Sequence, residues 1–465
     1  MMRPVLISVL SLVLVGAVGA GVSVQPPVPS PGPTTSLSSP IFVLSGGGFG
    51  HGVGLNQYGA LAQAKADRGY RDILAFYYPG TEVTKAPATK VRVLLAEGRS
   101  TVRLGSTVPY SVRDGSGAVT QLAPGDLTVE PDLRVAVDGK RVRLPGPLAF
   151  LPGKGARLLL DGKGYRGQIQ LSVVGKSLQV IDVLALDDYL LGVVPGEVPK
   201  EWPGEALRAQ AVAARSYAIA SSVKSRAYDL YSDTRSQVYY GVAAEASSTT
   251  AAVKATRGEI VSYAGKVATT FYYSSSGGRT ASSEDVFGLA LPYLQARDDP
   301  WDTLSPYHSW APRSFTAATL GQAFRLSGPV ADVVVSPTES GRPASVTLLK
   351  KTGVSVLLRA ADVRARLGLR STAFRLGVLR VARPKRSTAA GAPVVIAGVA
   401  RDVGLPLLEK LGAKGTWLPS VKLKPKPDGS FTTTVRPKLT TTYRLVADGV
   451  VGPALTASVT TEADG

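Results

Sequence analysis

Two hydrophobic periods take turns along the chain. Residues 88–185 carry alternating valines and leucines, broken by Asp-Gly, Pro-Gly and Gly-Lys-Gly turns. That pattern predicts strands near 90–95, 132–143, 156–160 and 167–184 of an antiparallel region. At 186–222 the period lengthens to that of a helix, 228–275 return to strands around one helix near 245–257, and 276–310 read as loop. Residues 313–380 mix both periods, with FTAATLGQAF and AADVRARLG as short helices, and 392–461 are again strand-rich. There Asp428-Gly429-Ser430 precedes an FTTTV strand, which predicts a small immunoglobulin-like β-sandwich. The whole pattern is α+β: a mixed, mainly antiparallel β-rich principal domain with a buried Ala-rich helix, an inserted β subdomain and a C-terminal Ig-like sandwich.

The two ends of this pattern are punctuated. Arg3 precedes an apolar run from Val5 to Val18, followed by Val18-Gly19-Ala20, which predicts a secretory signal peptide over 1–20. Extended to Val24, the same run reads alternatively as an uncleaved anchor. Residues 21–40 are a Pro/Ser-rich linker, and 41–85 open with SGGGFGHGVG. Gly48, Gly50, Gly52 and Gly54 alternate, and a period of two predicts them on one strand face. Asn56 is placed to cap a helix running to Asp67, and no window fits a dinucleotide-binding glycine pattern. A basic Arg383-Pro384-Lys385-Arg386 stretch marks a linker over 381–391.

Composition then removes most chemistries. The 465 residues include no Cys and only two His, His51 and His308. Disulfides, thiolate metal sites and cysteine nucleophiles are excluded, and no metal or cofactor is expected. With 53 Lys plus Arg against 34 Asp plus Glu, the net charge is +19. The basic residues are spread along the chain and no nucleic-acid-binding signature accompanies them. Export leaves the anionic polymers of a cell envelope as the polyanion such a chain meets, with the membrane involved only through an uncleaved anchor.

The chemistry concentrates at LDDYLLGVVPGEVPKEWPGEALRAQAVAARSYA, residues 186–218. Pro195-Gly196-Glu197-Val198-Pro199 predicts a carboxylate on a proline-bounded turn. Pro203 fits the start of a helix over 204–223, whose alanines predict close packing and burial. Arg208, Gln210 and Arg215 are then polar groups on a mostly buried rod, and a buried charge must be paired. From the residues alone Glu197 is an acid poised in a polar site or a loop ion-pair partner, and Arg215 a ligand contact or a structural core arginine. Ser221-Ser-Val-Lys224 and Lys351-Thr-Gly353 imitate acyl-enzyme motifs, but the first trails its helix instead of opening it.

LDDYLLGVVPGEVP, EALRAQAVAARSYA, SSSGGRTASSEDVFG and PYLQARDDPWD together resemble the SpoIID/LytB family, over roughly 160–310. GHGVGLNQYGALAQ…ILAFYYPGT resembles a further block of that family, met near the C-terminal end of the domain in many members. Here it comes first, at 50–81, which reads as a permuted arrangement. The resemblance implies a SpoIID/LytB-like catalytic domain over 161–380, beside the β-rich subdomain over 86–160 and the Ig-like domain over 392–465 that the strand pattern predicts. It implies a lytic transglycosylase acting on peptidoglycan glycan strands, with Glu197 as acid/base. The alternative it carries is an amidase enhancer that binds the wall and stimulates a partner hydrolase without cutting bonds.

On the same basis Gln210, Arg215 and Tyr217 would orient substrate, Tyr189, Trp202 and Tyr273 would stack on sugars, and Ser274, Ser275, Ser276, Gly277 and Gly278 would line a groove. A hydrolase would need a second carboxylate such as Asp188 or Glu284. His51 and Gln57 are expected to support a turn or the core. The chain departs from the family pattern at Tyr231-Ser-Asp-Thr-Arg-Ser236, where some members carry a cysteine pair before Gln237-Val238-Tyr239, and at Tyr272, a His in some members.

Overall fold

A computed structural model describes residues 37–223, 226–382, 384 and 387–460. The expected signal peptide and most of the linker that follows it lie outside the described residues. The chain divides into two compact units, whose described parts are Phe49–Ser305 and, for the second, 37–48 with 306–460. The mixed α+β, strand-rich character expected from the periodicity is present, with several antiparallel sheets and eight α-helices among the described residues.

In the first unit a seven-stranded sheet has the order Leu230–Tyr231, Lys90–Arg99, Ser177–Ala185, Gln168–Val174, Leu148–Leu151, Tyr110–Arg113, Val119–Leu122. Its pairs are antiparallel except Leu230–Tyr231 on Lys90–Arg99. The boundary expected at residue 160 falls inside a hairpin: Leu158–Leu160 pairs with Lys163–Tyr165, and the turn places Asp161 and Gly162 at φ 50° and 81°. The inserted β region and the segment after it therefore share continuous sheets.

Five helices frame the site: α1 (Gln57–Lys65), α2 (Tyr70–Tyr77), α3 (Leu186–Glu197), α4 (Gly204–Ala220) and α5 (Ser247–Ala255). Helix α4 is buried from Ala206 to Ala218 save Arg208, and α1, α2, α3 and α5 all pack on it. Its alanines carry no side-chain bulk beyond Cβ, so four neighbours approach one rod at once.

The alternating glycines do not form one strand face. Gly48, Gly50, Gly52 and Gly54 take φ of 81°, 111°, 91° and 79°, a left-handed residue at every second position. At Gly54 a Cβ would sit 2.1 Å from the Phe271 carbonyl oxygen, so the residue is required by crowding as well as by φ.

In the second unit a five-stranded sheet runs Arg313–Thr316, Ile41–Gly46, Phe374–Val381, Val394–Arg401, Ser430–Val435, and a four-stranded sheet runs Trp417–Lys422, Leu407–Leu411, Thr441–Ala447, Val450–Ala457. Their apolar faces form one core with Val43, Leu379, Ile396, Leu408 and Leu445. The expected linker at 381–391 thus joins neighbouring strands of one sheet, because residues 392–461 cover their apolar face only with help from Ile41–Gly46 and Phe374–Val381. A three-stranded sheet with the two expected short helices, Ala317–Ala323 and Ala360–Leu367, completes this unit. Charge is unevenly divided: residues 306–465 hold 23 Lys plus Arg against 9 Asp plus Glu, a net +14 of the total +19.

Candidate active site

Helix α3 continues through Pro195 and ends on Glu197, so the carboxylate sits on the last helical residue and not on a free turn. The proline breaks the helix one turn late. Val198 is already extended, and its N–H still reaches the Val194 carbonyl at 3.2 Å. Glu197 is 4% exposed. Burial raises its pKa from the ordinary glutamate value to about 8, with the Val238 backbone N–H and the Tyr272 hydroxyl bonding the carboxylate and offsetting part of that rise. At neutral pH the group is an acid with its proton on.

Three elements hold it there. Gln57, the first residue of α1, donates from Nε2 to the Glu197 carbonyl oxygen at 3.2 Å and lies 3.4 Å from Gln210 Oε1 on α4. Gln57 Oε1 and Gln210 Nε2 are buried with no hydrogen-bond partner. Behind the carboxylate, Tyr272 accepts from Gln237 Nε2 at 2.8 Å, and Gln237 Oε1 accepts from the Tyr189 hydroxyl at 3.3 Å. Tyr217 packs beside them, its ring centroid 5.9 Å from Phe271 and 6.2 Å from Tyr272, and burial pushes its hydroxyl up to about 12. Tyr189 and Tyr217 therefore back the acid from the core and offer no ring to a sugar.

The remaining expected residues separate from Glu197. Tyr273 points to the other side of its strand, 5.4 Å from the His51 ring, and His51 Nδ1 accepts the Val53 N–H at 3.0 Å. The Ser-Gly run is a buried lock. Ser275 Oγ donates to Asp302, whose carboxylate also takes the Ser276 and Gly277 N–H groups at 3.0 and 2.8 Å, while Gly278 N–H meets Ser276 Oγ at 3.1 Å. Asn56 completes it: it caps nothing on α1 and instead donates to Asp299 at 2.7 Å and Asp302 at 2.8 Å. Ser274 takes the Tyr58 N–H on its carbonyl at 3.1 Å. These residues fasten α1, and through Gln57 the acid, but form no open groove.

Arg215 is 1% exposed and fully engaged: Nε meets Asp187 at 2.9 Å, and the guanidinium bonds the carbonyls of Glu259 and Val253 at 3.0 and 3.3 Å. It pins α3, α4 and α5 together at the end of α3 opposite Glu197. A cavity of about 410 Å³ opens there, lined by Asp187, Asp188, Arg215 and Arg257. Asp188 lies nine residues before Glu197, about 13 Å along the helix axis. That exceeds the ~6.5–9.5 Å of an inverting carboxylate pair. Glu284 sits on the short helix Ser283–Phe287. Among the described residues no group of three or more His, Asp or Glu side chains converges closely enough to hold a metal ion.

Of the accessible rings near the acid, sequence reasoning named Trp202 and missed Tyr240 and Tyr58. Tyr240 is 53% exposed, and its ring lies where a Cβ on Gly196 would come within 3.1 Å, so the glycine lets the ring rest on the last turn of α3. Tyr58 and Trp202, both half-buried, meet edge-to-face at 5.3 Å. The doubled tyrosine after Gln237-Val238 was the available signal for the first. No helix among the described residues is long and apolar enough to cross a membrane.

A family model described as stage II sporulation protein matches residues 174–263, which hold Glu197, α3 and α4. An uncharacterized protein of Brachyspira hyodysenteriae is 38% identical over 160 residues, 32% of this chain and 44% of that protein. The stage II sporulation protein D of Bacillus amyloliquefaciens is 30% identical over 246 residues, 48% of this chain and 71% of its own length. The amidase enhancer of Bacillus subtilis is 37% identical over 156 residues, 33% of this chain and 21% of that protein. The matches thus span from about a fifth to about seven tenths of these relatives. With a buried, protonated glutamate at the end of α3 inside the matched segment, the chain belongs to the SpoIID/LytB family of stage II sporulation protein D and amidase enhancer.

Proposed function

We infer that the chain is an exported, wall-associated lytic transglycosylase that cleaves peptidoglycan glycan strands at Glu197. The observation that carries this reading is a single carboxyl group that stays protonated at neutral pH beside two buried amides with unmet hydrogen-bonding capacity. Glu197 gives its proton to the glycosidic oxygen between N-acetylmuramic acid and N-acetylglucosamine as the C1–O bond breaks. The resulting carboxylate takes the proton of the muramic C6 hydroxyl while that oxygen closes onto C1. The products are a 1,6-anhydro end and a free 4-hydroxyl, and the acid is restored without water or a second carboxylate. Tyr240 and Trp202 supply ring faces for the sugar, and Gln57 Oε1 and Gln210 Nε2, buried in this structure, meet the N–H and C=O of an acetamido group once substrate opens the site.

The test is mass spectrometry of products from purified, peptide-stripped strands. Wild type yields anhydro-muramic ends, and Glu197→Gln yields none while still sedimenting with strands. Reducing muramic ends would replace this reading by hydrolysis. A second reading, stimulation of a wall amidase without bond cleavage, is favoured by the relative named amidase enhancer. It predicts strand binding by both proteins, products from neither, and faster release of stem peptides when a wall amidase is added.

A further inference from the structure

The second unit contains a cavity of about 310 Å³ lined by Leu44, Ser309, Trp310, Arg313, Leu369 and Arg370 among others, with no acidic residue in its lining. Its one aromatic wall is fixed in place. The Trp310 indole N–H donates to the Gly48 carbonyl at 3.0 Å, and the Trp310 backbone N–H donates to the Gly46 carbonyl at 2.7 Å. A Cβ on Gly46 would come within 2.8 Å of the indole, so this glycine lets the ring lie on the strand. The two cations are also held. Arg313 anchors one end of its guanidinium on the Leu367 carbonyl at 2.9 Å, and Arg370 stacks over Tyr307 at 4.5 Å. The cavity's lining from Pro306 onward belongs to the stretch 306–465, which carries +14 of the chain's +19 in sequence.

We propose that this cavity is a binding site for one pyranose ring bearing a carboxylate, separate from the catalytic acid. An immobilised indole offers a face to the C–H side of a sugar ring, and guanidinium forks pair with carboxylates. The volume sits at the low end of the ~300–1,000 Å³ of small-molecule sites, which suits one monosaccharide and not an extended strand. The choice of acidic sugar rests on the wall reading above. The muramic lactyl group and a uronic acid of wall polymers share the required chemistry. The site would hold strands or wall polymer through the second unit, independently of turnover.

The full chain carrying Glu197→Gln, which removes turnover, is titrated calorimetrically with N-acetylmuramic acid, glucuronic acid and N-acetylglucosamine. At least one acidic sugar binds, at least tenfold tighter than N-acetylglucosamine, and binding weakens as salt rises. Muramic acid alone binding identifies the lactyl arm as the recognised group; glucuronic acid alone identifies a ring carboxylate; both identify the carboxylate generally. Arg313→Gln with Arg370→Gln lowers the acidic-sugar affinity at least tenfold with an unchanged melting temperature. In an otherwise wild-type chain the same pair leaves the identity of strand-cleavage products unchanged. Failure of all three sugars to bind, equal binding of N-acetylglucosamine, or full affinity in the double arginine variant overturns the proposal. None of these results bears on cleavage at Glu197, which is read separately from the products of wild type.

Discussion

Replacing Glu197 by Gln should stabilise the first unit at alkaline pH and leave it nearly unchanged in acid. The carboxyl is fully buried and its pKa rises from 4.5 to about 8 through desolvation. Below 4.5 both folded and unfolded chains hold the proton, and the group is neutral in the balance. As pH rises through 4.5 the unfolded chain ionises while the folded one does not, so folding weakens by about 1.4 kcal/mol for each pH unit. The loss is complete once pH passes the folded value near 8, where it totals on the order of 5 kcal/mol. Glutamine keeps an acceptor for the Val238 N–H and the Tyr272 hydroxyl and has no charge to desolvate. At about 2–4 °C per kcal/mol for a unit of this size, Glu197→Gln melts on the order of 10 °C above wild type at pH 8.5 and within about 2 °C of it at pH 4.5. Melting followed by near-ultraviolet circular dichroism across pH 4 to 9 reads this directly. A difference between the two proteins that does not grow with pH would refute the assignment of Glu197 as a buried, protonated acid, and with it the general-acid role. The same pKa predicts that wild-type strand cleavage declines above pH 8 as the proton is lost.

Three further outcomes follow from the packing around the acid. Arg215→Met leaves the buried carbonyls of Glu259 and Val253 without their donor, while the half-buried Asp187 keeps Arg257, and should cost about 2–3 kcal/mol; urea denaturation checks it, and a stable but inactive variant would contradict a structural role. Gly54→Ala forces a Cβ to 2.1 Å from the Phe271 oxygen at φ 79°, so it should unfold or loosen α1, read as hydrogen-exchange protection lost over 55–65. Tyr240→Ala removes an exposed ring and should raise KM for strands about tenfold with melting unchanged, whereas an equal fall in kcat would place the ring in the transition state.

The parts of the fold legible in the sequence are those set by a local period. The alanine-rich α4, the short helices at 317–323 and 360–367 and the alternating strands of 90–185 are each dictated by residues within reach of one another. What escaped is long-range. Nothing near residue 41 says that Ile41–Gly46 will pair with Phe374–Val381, and nothing near 392 says that its strands will complete that same sheet. The glycine block misled because period two describes a strand face and an alternation of left-handed residues equally well; the φ values distinguish them.

The site divides along the same line. Glu197 was legible from a local motif, but its state depends on neighbours drawn from 57, 210, 238 and 272, and only folding brings those together. The resemblance implies ligand contacts at the Ser-Gly run and at Arg215, which the residues alone leave open as a structural core arginine. In the fold Asp302 takes Ser275 and the Ser276 and Gly277 N–H groups, and the half-buried Asp187 with two carbonyls takes Arg215. Beside the acid, Gln57 Oε1 and Gln210 Nε2 are buried with unmet capacity. A polar residue buried and already bonded serves the scaffold, whereas a buried group with unmet capacity calls for a further explanation, which the proposed sugar contact would supply for these two amides. Asn56 donates to Asp299 and Asp302 at the start of α1, α1 presents Gln57, and Gln57 joins the N-terminal glycine block to the helix that ends on the acid. The block that stands first in the chain is thereby as much a part of the site as the segment that carries Glu197.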